Sequence, residues 1–221
     1  ICSIDTAEKN DPLLDNEQFF NLDITDEEKV QSFYDKLLIK NENLESISLI
    51  NCAGISVFDD YSIRSKFDFM RVLEVNLYGS FNMIQKAVNF VVKHNINCSI
   101  VNTGSLFGTR SPDERNYVDL DRKNSEVYGA SKAGIEQMTR YFGAHLGRYN
   151  IRVNCVSPGG ILNELSPQGE KFQELYNYKV PLARMGLYSE MIGAYEFLLS
   201  ESAASYITGQ IINVDGGYTS W

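Results

Sequence analysis

"ISLINCAG", residues 47–54, reads as a strand that runs straight into a glycine turn. A short apolar run closed by such a turn takes its meaning from what flanks it. Upstream, "TDEEKVQSFYDKLLIK" (25–40) has helical spacing, with Thr25 placed to cap it and an acidic first turn that suits the helix dipole. Further upstream, "FFNLD" (19–23) and "ICSID" (1–5) read as strands. Downstream, residues 64–93 carry helical periodicity, as one long helix or a bent one. "CSIVNTGS" (98–105) is a strand, 125–149 a helix, and "IRVNCVSPGG" (151–160) a strand and turn. A helix over 189–200 and "GQIINVDGG" (209–217), a last strand and turn, complete the series. Strand alternating with helix predicts an α/β domain with a parallel sheet covered on both faces. Right-handed crossovers make it doubly wound, Rossmann-like. In such sheets ligands bind beyond the carboxyl ends of the strands. Asp5, Asn51 to Gly54, Ser105 and Pro158 to Gly160 all fall at those ends.

The chain has 221 residues, which suits one domain spanning 1–221. It shows no internal repeat and no low-complexity linker. Hydrophobic residues make up 43%, enough for a core, yet no apolar run approaches the ~20 residues of a membrane span. No secretory leader opens the sequence. The net charge is −9, which disfavours nucleic acid and anionic membrane as partners. Cys2, Cys52, Cys98 and Cys155 form no CxxC pair and lie in or beside apparent strands, so they read as reduced core thiols of a cytoplasmic protein. His94 and His145 have no partner at metal-ligand spacing, so neither a zinc site nor a Ser-His-Asp triad is expected.

"EVYGASKAGIEQMTR" (126–140) carries the chemistry. Of 13 tyrosines, Tyr128 alone has a lysine four positions later, Lys132. On a helix that spacing puts both side chains on one face. The pair alone is weak, since it is equally a surface tyrosine and a solvated lysine. Gly129, Ala130, Ala133 and Gly134 leave the helix bare beside it, and each helical glycine costs about 1 kcal/mol relative to alanine. Close approach of a ligand or another helix is the usual compensation. A free phenol titrates near ~10 and is a sluggish acid at neutral pH. A lysine held close lowers that value, so the pair is expected to be a tuned proton donor.

At this point the sequence resembles the short-chain dehydrogenase/reductase family over nearly its whole length. The elements stand in family order: Asp5 after a strand, "LDIT" (22–25), "NCAG" (51–54), "EVNLYG" (74–79), "VNTGS" (101–105), "YGASK" (128–132), "RVNCVSPGG" (152–160) and "ITGQIINVDGG" (207–217). The resemblance implies that Tyr128 exchanges a proton with the carbonyl or alcohol oxygen while Lys132 lowers its pKa and bonds the nicotinamide ribose. It implies that Ser105 hydrogen-bonds the reacting oxygen, and that Asn76 bends a helix and holds a water for proton relay. Asp5 would bond the adenosine ribose hydroxyls, which favours NAD(H) over NADP(H), with Lys9 the nearest cation. Asp23 and Ile24 resemble the adenine-contacting pair. Asn51, Ala53 and Gly54 lie along the cofactor, and Pro158, Gly159 and Ile161 resemble the loop facing the nicotinamide. Where the family often has a threonine this chain has Asn163. Family members pair through the helices at 64–93 and 125–149 and through the last strand, so a homo-oligomer is expected.

Two departures stand out. The family opens with a strand and a Gly-rich TGxxxGxG turn, a unit of about 25–30 residues with its helix, which nothing here matches. "ICSID" looks like the second strand, and the chain starts at Ile1, so it reads as N-terminally truncated. In the family order 3-2-1-4-5-6-7 this leaves two strand edges unpaired. A chain so built is expected to fold or to bind NAD poorly. Second, Ser105 and Tyr128 are 23 positions apart (128 − 105), about ten more than the resemblance implies. The extra stretch, "RSPDERNYVDLDRKNSE" (110–126), is polar and acidic. With "SPGGILNE" (157–164), "YNYKVPLARMG" (176–186) and "VDGGYTSW", it resembles a branch linked to bacterial surface-polysaccharide and flagellin-glycan synthesis, which implies a sugar or nucleotide-sugar substrate. The competing readings are a 3-oxoacyl carrier-protein reductase and a catalytically inactive dinucleotide-binding scaffold.

Overall fold

The computed structural model describes residues 1–7, 15–40, 44–118, 123–163 and 168–221. Among them the strands are β1 (Cys2–Asp5), β2 (Gln18–Asn21), β3 (Ser46–Asn51), β4 (Asn97–Thr103), β5 (Ile151–Pro158) and β6 (Ile211–Val214). The helices are α1 (Glu27–Lys40), α2 (Lys66–Leu73), α3 (Ser80–His94), α4 (Glu126–Leu146), α5 (Glu170–Lys179), α6 (Ser189–Leu199) and α7 (Glu201–Ala204). Every strand pair is parallel, as the alternation predicts. The register runs Leu49 to Ile100 to Val153 across the middle strands. Successive strand residues face opposite sides, and β4 shows the result. Ile100 joins Val30, Tyr34, Ile84 and Val91 from α1 and α3, while Val101 joins Val156 and Leu198 under α6. Each such burial stabilises by about 1.5–3 kcal/mol.

The strands form two sheets, β1-β2 and β3-β4-β5-β6. The edges of β1 and β3 line one cavity, with Ile1, Cys2 and Ile4 on one side and Ser46 to Ala53 on the other. Neither of these edges pairs with a further strand among the described residues. Ile50, on the edge strand β3, lines this slot and is 45% exposed.

Three details differ from the sequence reading, and a choice it left open, straight or bent over 64–93, is decided. The cap of α1 is Asp26, whose Oδ1 accepts from Lys29 N at 3.0 Å; Thr25 instead gives its own N–H and hydroxyl to Asp23 Oδ1, at 2.9 and 2.8 Å. The 64–93 segment is bent, with a π-helical turn, Glu74–Gly79, between α2 and α3. Helix α5 is not anticipated, because "EKFQELYNYK" buries only Phe172 and Tyr176, too short a stripe to show as periodicity. The cysteines divide: Cys98 and Cys155 are buried, their thiols pushed up to about 12 and about 11 by burial, but Cys2 and Cys52 are exposed. No helix among the described residues is long and apolar enough to cross a membrane.

Candidate active site

Helix α4 starts where its sequence says it should. Ser125 caps it, accepting from Tyr128 N at 3.3 Å, which fixes Tyr128 in the first turn. One turn on, Lys132 is only 4% exposed. Its Nζ lies 5.7 Å from the centre of the Tyr128 ring and donates to the carbonyl of Thr103, the last residue of β4, at 2.8 Å. Ser105 follows two residues later. Its hydroxyl accepts from Phe107 N at 3.2 Å, capping the short 3₁₀ turn Leu106–Gly108, and lies near enough to the Tyr128 phenol to favour its ionised form. The structure therefore brings Ser105, Tyr128 and Lys132 together at the carboxyl end of β4. The bare face of α4 is covered from within the chain. A Cβ on Gly134 would lie 3.0 Å from Leu77 Cδ1 of the π-turn, and one on Gly129 3.0 Å from the Phe107 carbonyl.

The electrostatics correct one expectation. Burial raises the Tyr128 phenol above its ordinary value; the nearby Ser105 hydroxyl opposes this, and Cys52 adds to it. Burial also lowers the Lys132 ammonium. The lysine does not lower the tyrosine here, because its Nζ is turned to the Thr103 carbonyl and sits over the ring, not at the phenol oxygen. The sign has a consequence. A raised phenol stays protonated through neutral pH, so it is ready to donate. For carbonyl reduction, kcat/KM is expected to stay flat from neutral pH up to the ordinary tyrosine range near ~10 and to fall only above it. The reverse, alcohol oxidation, should rise with pH. A reduction profile already halved near neutrality would refute this.

Asn76 lies fully buried in the π-turn. Its Oδ1 accepts from Ile55 N at 2.7 Å, and its Nδ2 donates to the Ile55 carbonyl and to Ser131 Oγ, both at 3.0 Å. The amide thus pins the loop after β3 to α4. The predicted bend is present at this residue.

The remaining predicted residues also cluster at strand ends. Asp5 is exposed at the end of β1, one carboxylate oxygen accepting from Ala7 N at 2.9 Å. Asp23 is tied to Thr25 and lies 3.6 Å from Arg71. Ile24 packs on Gly79. The Asn51 side chain turns into the sheet and donates to Asn102 Oδ1 at 2.9 Å, so only its backbone faces outward. Ala53 and Gly54 are exposed, and a Cβ on Gly54 would lie 3.7 Å from Lys132 Nζ. Pro158, Gly159 and Ile161 extend from β5, with Gly159 N donating to the Val214 carbonyl at 3.0 Å and Ile161 bridging Gly186. Asn163 N donates to Gln168 Oε1 at 3.4 Å. Lys9, Glu164 and the middle of the 110–126 insertion lie outside the described residues.

These ends fit an extended dinucleotide. Lys132 spends one donor on Thr103, and an ammonium carries three, so it suits ribose hydroxyls. The Gly54 backbone lies beside it without a side chain between.

Sequence reasoning missed the residues that pack with Leu106 and Phe107, in the turn after Ser105. Lys179 of α5 bonds Asp113 and donates to Asn116 Oδ1 at 2.8 Å, docking the insertion onto α5. Arg115 and then Lys179 hold the Asp113 carboxyl well below the usual range. Tyr117 meets Phe172 at 5.1 Å, and Tyr176 stacks on Tyr218 at 5.1 Å. Tyr176 Oη accepts from Gly160 N at 2.5 Å, tying α5 to the loop after β5. The missed signal is the missed helix: without α5, Lys179 and Tyr176 have no place.

A family profile described as enoyl-(acyl carrier protein) reductase matches residues 3–219. The chain is 36% identical over 199 residues to 3-oxoacyl-[acyl-carrier-protein] reductase FabG of Thermotoga maritima, covering 89% of this chain and 74% of that one. It is 35% identical over 207 residues to the NADH-dependent L-xylulose reductase of Ambrosiozyma monospora, covering 90% and 72%. Its fold matches a crystal structure of a short chain dehydrogenase from Leptospira borgpetersenii with bound NAD+. The TM-score is 0.90, the identity 35%, and the match covers 99% of this chain and 82% of that one.

Proposed function

We infer what this chain does from where it belongs: it is a member of the short-chain dehydrogenase/reductase family. It is an oxidoreductase that interconverts an alcohol and a ketone with a nicotinamide cofactor. The observation that carries the finer reading is the convergence of Ser105, Tyr128 and Lys132 at the end of β4. In the roles we propose, Tyr128 holds the proton that passes to the carbonyl oxygen of the substrate. Ser105 donates a hydrogen bond to that same oxygen. Lys132 holds ribose hydroxyls, and Asn76 keeps the loop after β3 in place. The nicotinamide, when bound, supplies the hydride. Asp5, Asp23 and Ile24 hold the adenosine end, with Ala53, Gly54, Pro158, Gly159 and Ile161 along the rest.

NAD(H) is the proposed cofactor, because a carboxylate at the end of β1 repels a 2′-phosphate. The proposed substrate is a sugar-type ketone or alcohol, a sugar or nucleotide sugar used in surface-glycan synthesis. The polar insertion docked beside the site supports it, as does likeness to a relative named for L-xylulose. A second reading, 3-oxoacyl carrier-protein reduction, is favoured by the Thermotoga relative. The net charge of −9 opposes it, since an acidic carrier would be repelled. One panel separates them. With NADH, a five-carbon ketose is expected to turn over at least tenfold faster than an acetoacetyl thioester, and NADPH to support less than a tenth of the NADH rate. Asp5→Asn should narrow that cofactor gap. Faster reduction of the thioester would move the assignment to the second reading.

We also propose a homo-oligomer through the helices of the 64–93 segment, α4 and the last strand, β6. Met70, Leu77, Phe81 and Met138 line an apolar groove among these helices, and Phe67 on α2 is 76% exposed. Light scattering that gave the mass of a single 25.0 kDa chain would refute it.

A further inference from the structure

Glu136 has no part in the roles above, yet it is only 2% exposed. Carboxylates are almost never buried this deeply unless paired. It stands one helical turn beyond Lys132 on α4, so both side chains look to the same side. Its Oε1 accepts from the hydroxyl of Ser157, itself fully buried in β5, at 2.8 Å.

What covers the carboxyl is the turn that carries Ser105. A Cβ on Gly108 would lie 2.8 Å from Glu136 Oε1 and 3.0 Å from its Cδ. A Cβ on Gly104 would lie 2.3 Å from Ser157 Oγ, 2.9 Å from Cys155 Sγ and 3.3 Å from Glu136 Oε1. Contacts under 3.0 Å leave no room for a side chain. The two glycines bracket Ser105, so its turn is seated flat on a platform made by Glu136, Ser157 and Cys155. Gly104 N also donates to the Val156 carbonyl at 2.8 Å, which lays the turn along β5. Ser157 is followed by Pro158. One carboxyl therefore supports, from behind, both segments that form the reacting face.

We propose that Glu136 is a positioning residue: by holding Ser157 beneath the Gly104–Gly108 turn, it sets the Ser105 hydroxyl against the Tyr128 phenol. This rests on the catalytic reading of Ser105 given above. Glu136→Leu keeps the volume and removes the acceptor, leaving the buried Ser157 hydroxyl without its partner. Glu136→Gln keeps an acceptor.

Two measurements test it. In the ligand-free protein, hydrogen exchange of the Gly104–Thr109 segment should speed up at least tenfold in Glu136→Leu, with the rest of α4 protected as in the parent. In turnover, Glu136→Leu should lower kcat at least tenfold with KM within threefold, and Glu136→Gln should recover most of that loss. The same change made in a Ser105→Ala background should cost less than twofold, because the role runs through Ser105. Equal losses in both backgrounds, or unchanged exchange, would overturn the proposal. Should Glu136→Leu not fold, Ser157→Ala takes its place: a loss of threefold or more that vanishes in the Ser105→Ala background supports the proposal, and one that persists there overturns it. If Ser105→Ala alone leaves kcat intact, the catalytic reading fails first, and the two failures are told apart.

Discussion

Tyr128→Phe is expected to lower NADH-driven ketone reduction by about 10²–10⁴-fold, the usual contribution of a positioned general acid. The substitution removes one hydroxyl and keeps the ring that packs under Lys132. Its structural cost is at most one hydrogen bond, net about 0.5–1.5 kcal/mol. Melting temperature and NADH affinity should therefore barely move while turnover collapses. That separation makes the experiment decisive. A fold defect would lower binding and stability together, and a scaffold with no catalytic role would show equal rates for both proteins. Measuring NADH oxidation and NADH binding on the same two preparations distinguishes all three outcomes.

The architecture was legible because its signals repeat. Short apolar runs closed by glycine turns at 51–54, 103–105 and 158–160 each mark a strand end, and parallel topology then forces them to one edge. What the sequence could not supply was direction at the scale of a side chain. It placed Tyr128 and Lys132 on one face, which is a matter of helical period. It could not say that Lys132 Nζ would prefer the Thr103 carbonyl to the phenol oxygen, because that depends on where β4 ends relative to α4. Asn51 shows the same limit: its position at a strand end is readable, but its turn toward Asn102 is set by a neighbour 51 residues away. In the sequence Glu136 is a single polar residue within a helical segment. Only the packed turn above it reveals a buried carboxyl.

Lys132→Met should give a different signature from the tyrosine change. Methionine keeps much of the stem and fills irregular gaps, so the core is not opened. Two effects on stability oppose each other. Losing the donor strands the Thr103 carbonyl, at about 1–3 kcal/mol. Against that, a cation whose charged form is disfavoured by burial is removed. The melting temperature of the ligand-free protein should therefore shift by only a few degrees. Function should suffer on two counts. The Lys132 side chain lies over the Tyr128 ring and fixes it from one side, so a phenol left free to shift should lose turnover by roughly 10²-fold. The Lys132 ammonium is the group placed to hold ribose hydroxyls beside Gly54, so NADH affinity should weaken at least tenfold, which the tyrosine variant should not show. Titrating both variants with NADH reads the difference directly. Lost turnover with intact affinity would confine Lys132 to supporting the phenol, and intact turnover would remove it from the centre altogether.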